Sequence, residues 1–590
     1  MFKLFYIFST ILCLNSHAQE LEPIIHSSKQ DTPALKMSHS FNTVEQDEIE
    51  NQGYLRAPEV LNQVPGVEMV QSGVVGGVSS IFIRGAEARH TVILIDGVRV
   101  YDPSSPDRQF NTALLNTLDI EKIEVLKGAQ GVLYGTNAIG GVINIITKKG
   151  EGKNRIKAGY GIVSEFSAGH TFDMSDGLIY LNGYYQESEF ASDVSEKNIN
   201  DQKINKGLTA TNTLFFEKLE VIHTLKYIND FGQTDAYDTD AGRAVDDLGA
   251  YSKNETMFLR QGIKFDYSEK DKIVTDVGYT DTNRTSNDGD ERKDYEGSSL
   301  ILEGRWLREL EDGSMVVGAN RTAESCSDED LNDEEISQYD IFGNRIYSWE
   351  EIDFDFGARV NYQEEYGSQL VYGLGLLKEL TPEHKVKASL KTGFQAPSAY
   401  QLYGFYDGQR IGNKNLAPEK SFYTEAGYEF RQMSIAIGAT VFRNEISDFI
   451  QTDLSEYYNE DSLTITGLDT FFKWELGAHF YGLNVAYYDY DLSSEKEVAA
   501  RARENVTARY DFQITDQHLV GGLLTYRGKS YTYLEEELDP FSVLDLRYRF
   551  NYEDLTFVAS LKNVFDAEYE YFEDYNTQRR GVQLDLEYVY

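Results

Sequence analysis

The sequence predicts an all-β transmembrane barrel of about 22 antiparallel strands, its lumen occluded by an N-terminal α/β plug domain. Three observations carry this. The segments after Gly150 alternate between apolar or aromatic residues and charged ones. No apolar run after the N-terminus approaches the roughly 20 residues of a spanning helix, so a membrane crossing has to be made by strands. The residues before Gly150 have a different texture, with short β-branched runs around one helical segment.

The alternation is clearest in "VQLDLEYVY", where Val582, Leu584, Leu586, Tyr588 and Tyr590 share one face and Gln583, Asp585 and Glu587 the other. "LDLRYRF" sets Leu544, Leu546, Tyr548 and Phe550 against Asp545, Arg547 and Arg549, and "YGLNVAY" repeats the pattern. This is the period-2 signature of a strand with lipid on one side and water on the other. A soluble antiparallel sandwich alternates in the same way. Three features favour the barrel: Arg and Asp on the polar face, only 10 Pro, and a chain that stops on an aromatic in mid-pattern. Over residues 151–590, about 22 strands leave roughly 20 residues for each strand and its loop, which fits spanning strands of about ten residues. A lumen that wide needs filling, and the unit before it is the natural filler.

That unit covers residues 41–150. "SSIFIRG", "HTVILIDGVRV", "IEKIEVLKG" and "GVINIITK" read as strands. "APEVLNQVPGV" has helical spacing and stops at Pro65-Gly66. The stretch "VLYGTNAIGGVINIITKKG" has the glycine spacing of a phosphate loop, but Gly140 is followed by Gly141-Val142 in place of Lys-Ser/Thr, and by a strand in place of a helix. The glycines are expected instead to permit φ > 0 and let the last strand of the unit lie against the barrel wall.

Composition narrows the function. A net charge of −42 excludes a nucleic-acid partner, because phosphate binding needs clustered cations. Aromatics make up 13% of the chain, too much sticky surface for a solvated coil. The start, "MFKLFYIFSTILCLNSHAQE", reads as a secretory signal peptide over residues 1–18, cleaved after Ala18. Its apolar run is too short for an anchor, and Leu12 argues against a lipoprotein at Cys13. Cleavage leaves Cys326 alone, with no intrachain disulfide. No His-x-x-x-His, Cys-x-x-Cys or Gly-x-Ser-x-Gly occurs, so an enzyme is not expected and no cofactor is required.

The blocks "LNQVPGVEMVQSG", "SSIFIRGAEARHTVILIDGVRV" and "IEKIEVLKGAQGVLYGTNAIGGVINIITKK" resemble, in order, the plug of TonB-dependent outer-membrane receptors. "GFQAPSAYQLYG", "GNKNLAPEKSFYTEAGYEF" and the terminal "LKNVFDAEYEYFEDYNTQRRGVQLDLEYVY" match their barrel more loosely. Within the family the plug is most similar to the cobalamin transporters. The resemblance implies a monomer among outer-membrane lipids of a Gram-negative cell that binds a scarce large ligand outside, while a TonB-type inner-membrane protein pulls an N-terminal motif. A corrinoid is the expected cargo, and a ferric siderophore or other metal chelate is the alternative. A passive porin or an adhesin would need neither plug nor coupling motif.

The resemblance places the coupling motif within residues 19–40, near "LEPIIHSSK", as an extended strand with unpaired backbone for edge pairing. Pro23, Ile24 and Ile25 suit that form, whereas His26 and Ser27 depart from the family's usual Thr-Ala. Carried over position by position, ligand contacts fall on Val78, Ser80, Glu87, Ser105 and Pro106, on Arg501 or Arg503, and on Tyr531 or Tyr533. Glu87 stands where the family has Asn. The resemblance also implies calcium in the loops "ESEFASDVSEKNINDQK" and "TDAYDTDAGRAVDD". Calcium needs six to eight converging oxygens. Asp235, Asp238, Asp240, Asp246 and Asp247 offer carboxylates in the second loop. The first keeps Asp193 but has Ile204 and Lys206 where carboxylates are wanted, with Asp201, Gln202 and Asn205 nearby.

Overall fold

Alternation along the chain becomes a wall in the computed structural model, which describes residues 24–25, 29, 32–33, 37–73, 75–150, 154–191, 200–234, 236–238, 243–245, 249–288, 291–328, 331, 334–406, 409–452, 455–494, 496–532, 535–572, 575 and 577–590. Twenty-two strands pair antiparallel with their sequence neighbours, from Arg155–Gly161 to Gly581–Val589, and those two pair with each other to close the barrel. Closure leaves no unpaired edge for lipid to meet.

The side chains decide between barrel and sandwich. In the last strand Val582 and Leu586 are 51% and 49% exposed, while Gln583 and Asp585 between them are 0% and 4% exposed. A sandwich would bury the apolar face. Here the apolar face is outermost and the polar face lines the lumen, as a hydrocarbon surround requires. Strands meet at short turns on one end, such as Asp176 and Glu553–Asp554, and at long loops on the other, such as residues 396–418 and 563–580. Ring pairs flank the short turns, among them Trp474–Tyr481 at 5.5 Å and Tyr588–Tyr590 at 5.6 Å, and form an aromatic girdle there.

The strands are longer than the ten residues expected, up to the 20 of Tyr457–Leu476. Backbone pairing continues past the membrane on the long-loop side, where the hairpins stand in water and the hydrocarbon thickness no longer limits them.

The lumen holds a mixed five-stranded sheet in the order Phe41–Glu45, Ile120–Lys127, Gly141–Thr147, Thr91–Ile95, Val98–Val100. A hairpin of Val67–Gln71 and Ser79–Ile83 stands beside it. Short helices at Gln46–Gln52, Ala57–Leu61 and Gly131–Tyr134 complete the unit around a core that includes Ile123, Val125 and Ile143. The strand Gly141–Thr147 does not lie against the barrel, as its glycines suggested. It is the centre of the sheet, parallel to Thr91–Ile95 and antiparallel to Ile120–Lys127. Gly141 is required by crowding, since a Cβ there would sit 2.4 Å from the Leu126 carbonyl oxygen. The wall contact falls earlier, at Gly135, with φ of +71° beside the Arg359 guanidinium.

The N-terminal segment also differs from the expectation. Ile24–Ile25 pairs antiparallel with Thr32–Pro33, so these residues form a hairpin and not an unpaired strand. Lys29 follows, buried, with Nζ 2.5 Å from Glu303 of the barrel wall. Pro23, His26 and Ser27 lie outside the described residues.

Candidate functional site

The plug is held to the wall by buried ion pairs, and the strand alternation is what supplies their barrel halves. Arg84 ends the strand Ser79–Ile83 with φ of 54°, which turns its side chain out of the plug. Its Nε donates to Asp469 Oδ2 at 2.6 Å and its Nη1 to Glu425 Oε2 at 2.7 Å, with the Tyr423 hydroxyl also in contact. The guanidinium lies 4.7 Å from the centre of the Phe442 ring. Lys127 Nζ donates to the Pro65 carbonyl at 2.7 Å and stands 3.7 Å from Asp469. Burial pulls the Lys127 ammonium down to about 7; Asp469 opposes the shift, and the Arg84 and Lys387 charges add to it. Gly128, next in the chain, has φ of +76°, and a Cβ there would be 2.4 Å from the Tyr423 ring.

Further pairs ring the plug. Arg527 of the wall meets Glu68 at 2.7 Å, Arg108 donates to Glu324 at 2.7 Å, and Arg89 to Glu419 at 3.0 Å. His90 Nε2 is 2.5 Å from the same Glu419. Lys226 and Thr209 of the wall both donate to Asp119. Charge pairs of this kind return little net stability once desolvation is counted, yet breaking one partner is costly. The plug is therefore located by specific charge pairs that add little net stability.

The apex residues sort into two groups. Val78 is 55% exposed at the tip of the hairpin, and Ser80 accepts a hydrogen bond from Gln109 Nε2 at 2.7 Å. Glu87 and Arg501 come together, with Arg501 Nη2 donating to Glu87 Oε1 at 2.7 Å, while Tyr531 meets only the neighbouring backbone, its carbonyl accepting from Ala500 N at 2.8 Å. Arg501 is buried and also donates to the Gly85 carbonyl, and its charge holds the Glu87 carboxyl below its ordinary range against the opposing effect of burial. Arg503 is half-buried, with Asp489 and Glu497 as partners. Ser105 and Pro106 lie elsewhere, where the Ser398 hydroxyl donates to the Pro106 carbonyl at 2.6 Å and Arg108 pins the loop to Glu324. Tyr533 lies outside the described residues.

Of the calcium candidates, Asp193, Asp235, Asp240, Asp246 and Asp247 lie outside the described residues, and for Asp238 only the backbone pairing with Arg243 is described. Asp201 is buried, and Asn205 donates to Asp230 at 2.7 Å. Among the described residues no cluster of three or more His, Cys, Asp or Glu is placed to hold a metal.

Sequence reading missed the plug–wall pairs. Their signal was present as acidic and basic residues on the lumen face of strands, but nothing local said which plug cation each would meet.

A closed barrel with an α/β plug docked in its lumen by buried charge is a plugged membrane barrel and not an open pore. The family profile described as "TonB dependent receptor-like, beta-barrel" matches residues 153–564, and "TonB-dependent Receptor Plug Domain" matches residues 33–142. The chain belongs to the TonB-dependent receptor family. Solved structures agree in fold. The siderophore receptor PirA from Acinetobacter baumannii is 17% identical, with a TM-score of 0.80 over 95% of this chain and 99% of that one. The ferric enterobactin receptor PfeA from Pseudomonas aeruginosa, in complex with enterobactin, is 16% identical, with a TM-score of 0.80 over 94% and 100%. The ferric-catecholate import receptor Fiu from E. coli K12 is 14% identical, with a TM-score of 0.79 over 98% and 100%.

Proposed function

We propose that this receptor imports a ferric siderophore or another metal chelate. The observation that carries the reading is the near-complete superposition on PirA, PfeA and Fiu, receptors whose ligands are iron chelates by their descriptions. A corrinoid is the second reading, favoured by the plug blocks "SSIFIRGAEARHTVILIDGVRV" and "YGTNAIGGVINIIT". Both readings share one mechanism. Ligand docks at the apex around Val78, Ser80, the Glu87–Arg501 pair and Tyr531, and a TonB-type protein pulls the segment at residues 21–29. Calcium ordering of the loops at residues 188–250 belongs to the same proposal.

Titrating the purified receptor with ferric chelates and with cyanocobalamin, with and without calcium, tests the cargo. Tight binding of cyanocobalamin and none of any chelate overturns the first reading. Calcium that changes neither protease resistance of the loops nor affinity removes the calcium proposal. Deleting residues 21–29 is expected to abolish uptake and leave surface binding intact.

A further inference from the structure

The barrel carries five histidines, His170, His223, His384, His479 and His518, and each lies near a short turn on the face that alternates with exposed apolar side chains such as Phe172, Tyr227, Leu483 and Leu524. Three of them repeat one arrangement. His384, His479 and His518 each begin a strand that leaves a short turn, and each stands opposite the Phe of a Tyr-x-Phe triplet on the next strand of the wall. The triplets are Tyr428-Glu429-Phe430, Tyr510-Asp511-Phe512 and Tyr548-Arg549-Phe550. Ring centres of His and Phe are 4.9, 4.6 and 4.8 Å apart. Each Nδ1 lies within hydrogen-bond reach of the Tyr hydroxyl, at 2.6, 2.8 and 2.7 Å. The other two histidines lack this nest: His170 packs edge-on to Phe172, and His223 Nε2 is taken by Gln261 at 3.1 Å.

A phenol is the better hydrogen-bond donor of the two groups, so its O–H goes to Nδ1 and the proton of the neutral imidazole stays on Nε2. Among the described residues no protein group meets any of these three Nε2 atoms, and none of them is enclosed. Phenylalanine would pack against lipid equally well, so the outward N–H is the feature that calls for a partner. Short turns of such barrels lie on the periplasmic side, which sets these edges in the headgroup layer of the inner leaflet. Carboxylates stand one step farther out. Glu383 directly precedes His384, and exposed Asp516 lies in the turn that joins the strand of Phe512 to that of His518, below both of those nests. Neither is in an ion pair among the described residues: Glu383 accepts from the Thr381 hydroxyl at 2.8 Å, and the cations beside it, Lys385 and Arg431, are held by Glu379 and Glu429. The wall thus presents a donor at the membrane edge with an unpaired negative charge beyond it.

We propose that these nests seat the headgroups of ethanolamine phospholipids in the periplasmic leaflet. Imidazole Nε2–H donates to the headgroup phosphate, and Glu383 or Asp516 takes the ammonium, which lies beyond the phosphate in such a lipid. Tyr428, Tyr510 and Tyr548 are positioning residues that hold each ring in the tautomer whose donor faces out. A glycerol headgroup brings a net negative charge and no cation to the carboxylate, and a choline headgroup has no N–H to give it. The site is on the outer wall, away from the lumen, and does not depend on which cargo is imported.

Full-length receptor in detergent micelles is titrated with phosphatidylethanolamine, phosphatidylcholine and phosphatidylglycerol of one acyl composition, and native mass spectrometry counts the lipids retained. Phosphatidylethanolamine is expected to be retained at about tenfold lower concentration than either of the others, the worth of one hydrogen bond to a charged group. The triple variant His384→Phe, His479→Phe and His518→Phe keeps the ring packing and removes the donors. The pair Glu383→Gln and Asp516→Asn keeps the nests and removes the charge. Each set should bring phosphatidylethanolamine to the level of phosphatidylcholine. Heat-modifiable mobility reports whether the variants fold, and if the triple variant does not, the carboxylate pair, which disturbs no packing, carries the test. Equal retention of the three lipids by the native receptor overturns the proposal. So does a stronger hold on phosphatidylglycerol, or a preference for phosphatidylethanolamine that the folded variants keep, which would belong to the aromatic girdle as a whole.

Discussion

Arg84 of the plug and Asp469 of the barrel, 385 residues apart in sequence, meet at 2.6 Å with both side chains almost completely buried. Removing the carboxylate leaves the buried guanidinium with Glu425 and the Tyr423 hydroxyl. Asp469→Ala is therefore expected to destabilise the docked plug by about 3 kcal/mol or more, whereas the paired replacement Arg84→Met with Asp469→Leu costs less than the sum of the two single changes. Hydrogen exchange of the strand Ser79–Ile83 measures this, and additive single-mutant effects would contradict the coupling.

Lys127 makes plug docking pH-dependent. Its ammonium sits at about 7 inside the lumen, against an ordinary value of 10.5. The undocked chain binds more protons between those values, so docking is least stable below pH 7 and strengthens as pH rises toward 10.5. Lys127→Met should flatten that rise, as read from plug exchange rates across the window. A variant with the same pH slope as the native protein would show that another group is responsible.

Gly128→Ala is expected to loosen the plug. The substitution meets φ of +76° and puts a methyl 2.4 Å from the Tyr423 ring. Conformational strain alone costs about 1 kcal/mol, and the clash adds to it. Trypsin sensitivity of the plug should rise. Adding Tyr423→Ala should restore part of the protection by opening space; no recovery at all would place the whole cost in the backbone.

The two faces of the last strand should respond oppositely to charge. Leu584→Arg sets a cation on the lipid face and costs about 2–4 kcal/mol near the bilayer midplane. Gln583→Lys, one residue away, faces the lumen, where Asp585 already accepts a hydrogen bond from this side chain at 2.8 Å, and should be better tolerated. Heat-modifiable mobility of the refolded barrel distinguishes them, and equal mobility of the two variants would contradict the outward assignment of Leu584.

The alternation of "VQLDLEYVY" and "LDLRYRF" was enough to read strands, because a strand has a period of two, and the charged polar face, the scarcity of Pro and the length of the chain turned that reading into a barrel. Exposure of Leu586 beside burial of Asp585 confirms it. The glycine stretch after Tyr134 was misplaced because glycine reports that something approaches closely without reporting what, and at Gly141 the neighbour is the plug's own Leu126 and not the wall. The apex candidates could be named from the sequence, but their grouping could not: Arg501 and Glu87 are 414 residues apart when they pair.

The fold class was determined by the sequence alone, since it is a local property of periodicity, length and composition. The tertiary structure decided which charge meets which. Asp469 and Glu425 are ordinary lumen-facing acids until barrel closure brings them to Arg84, and Glu59 is an ordinary helix carboxylate until the wall sets the Lys562 ammonium 3.5 Å from it. Such partnerships depend on strand register and plug orientation summed over the whole barrel. No window of sequence carries them.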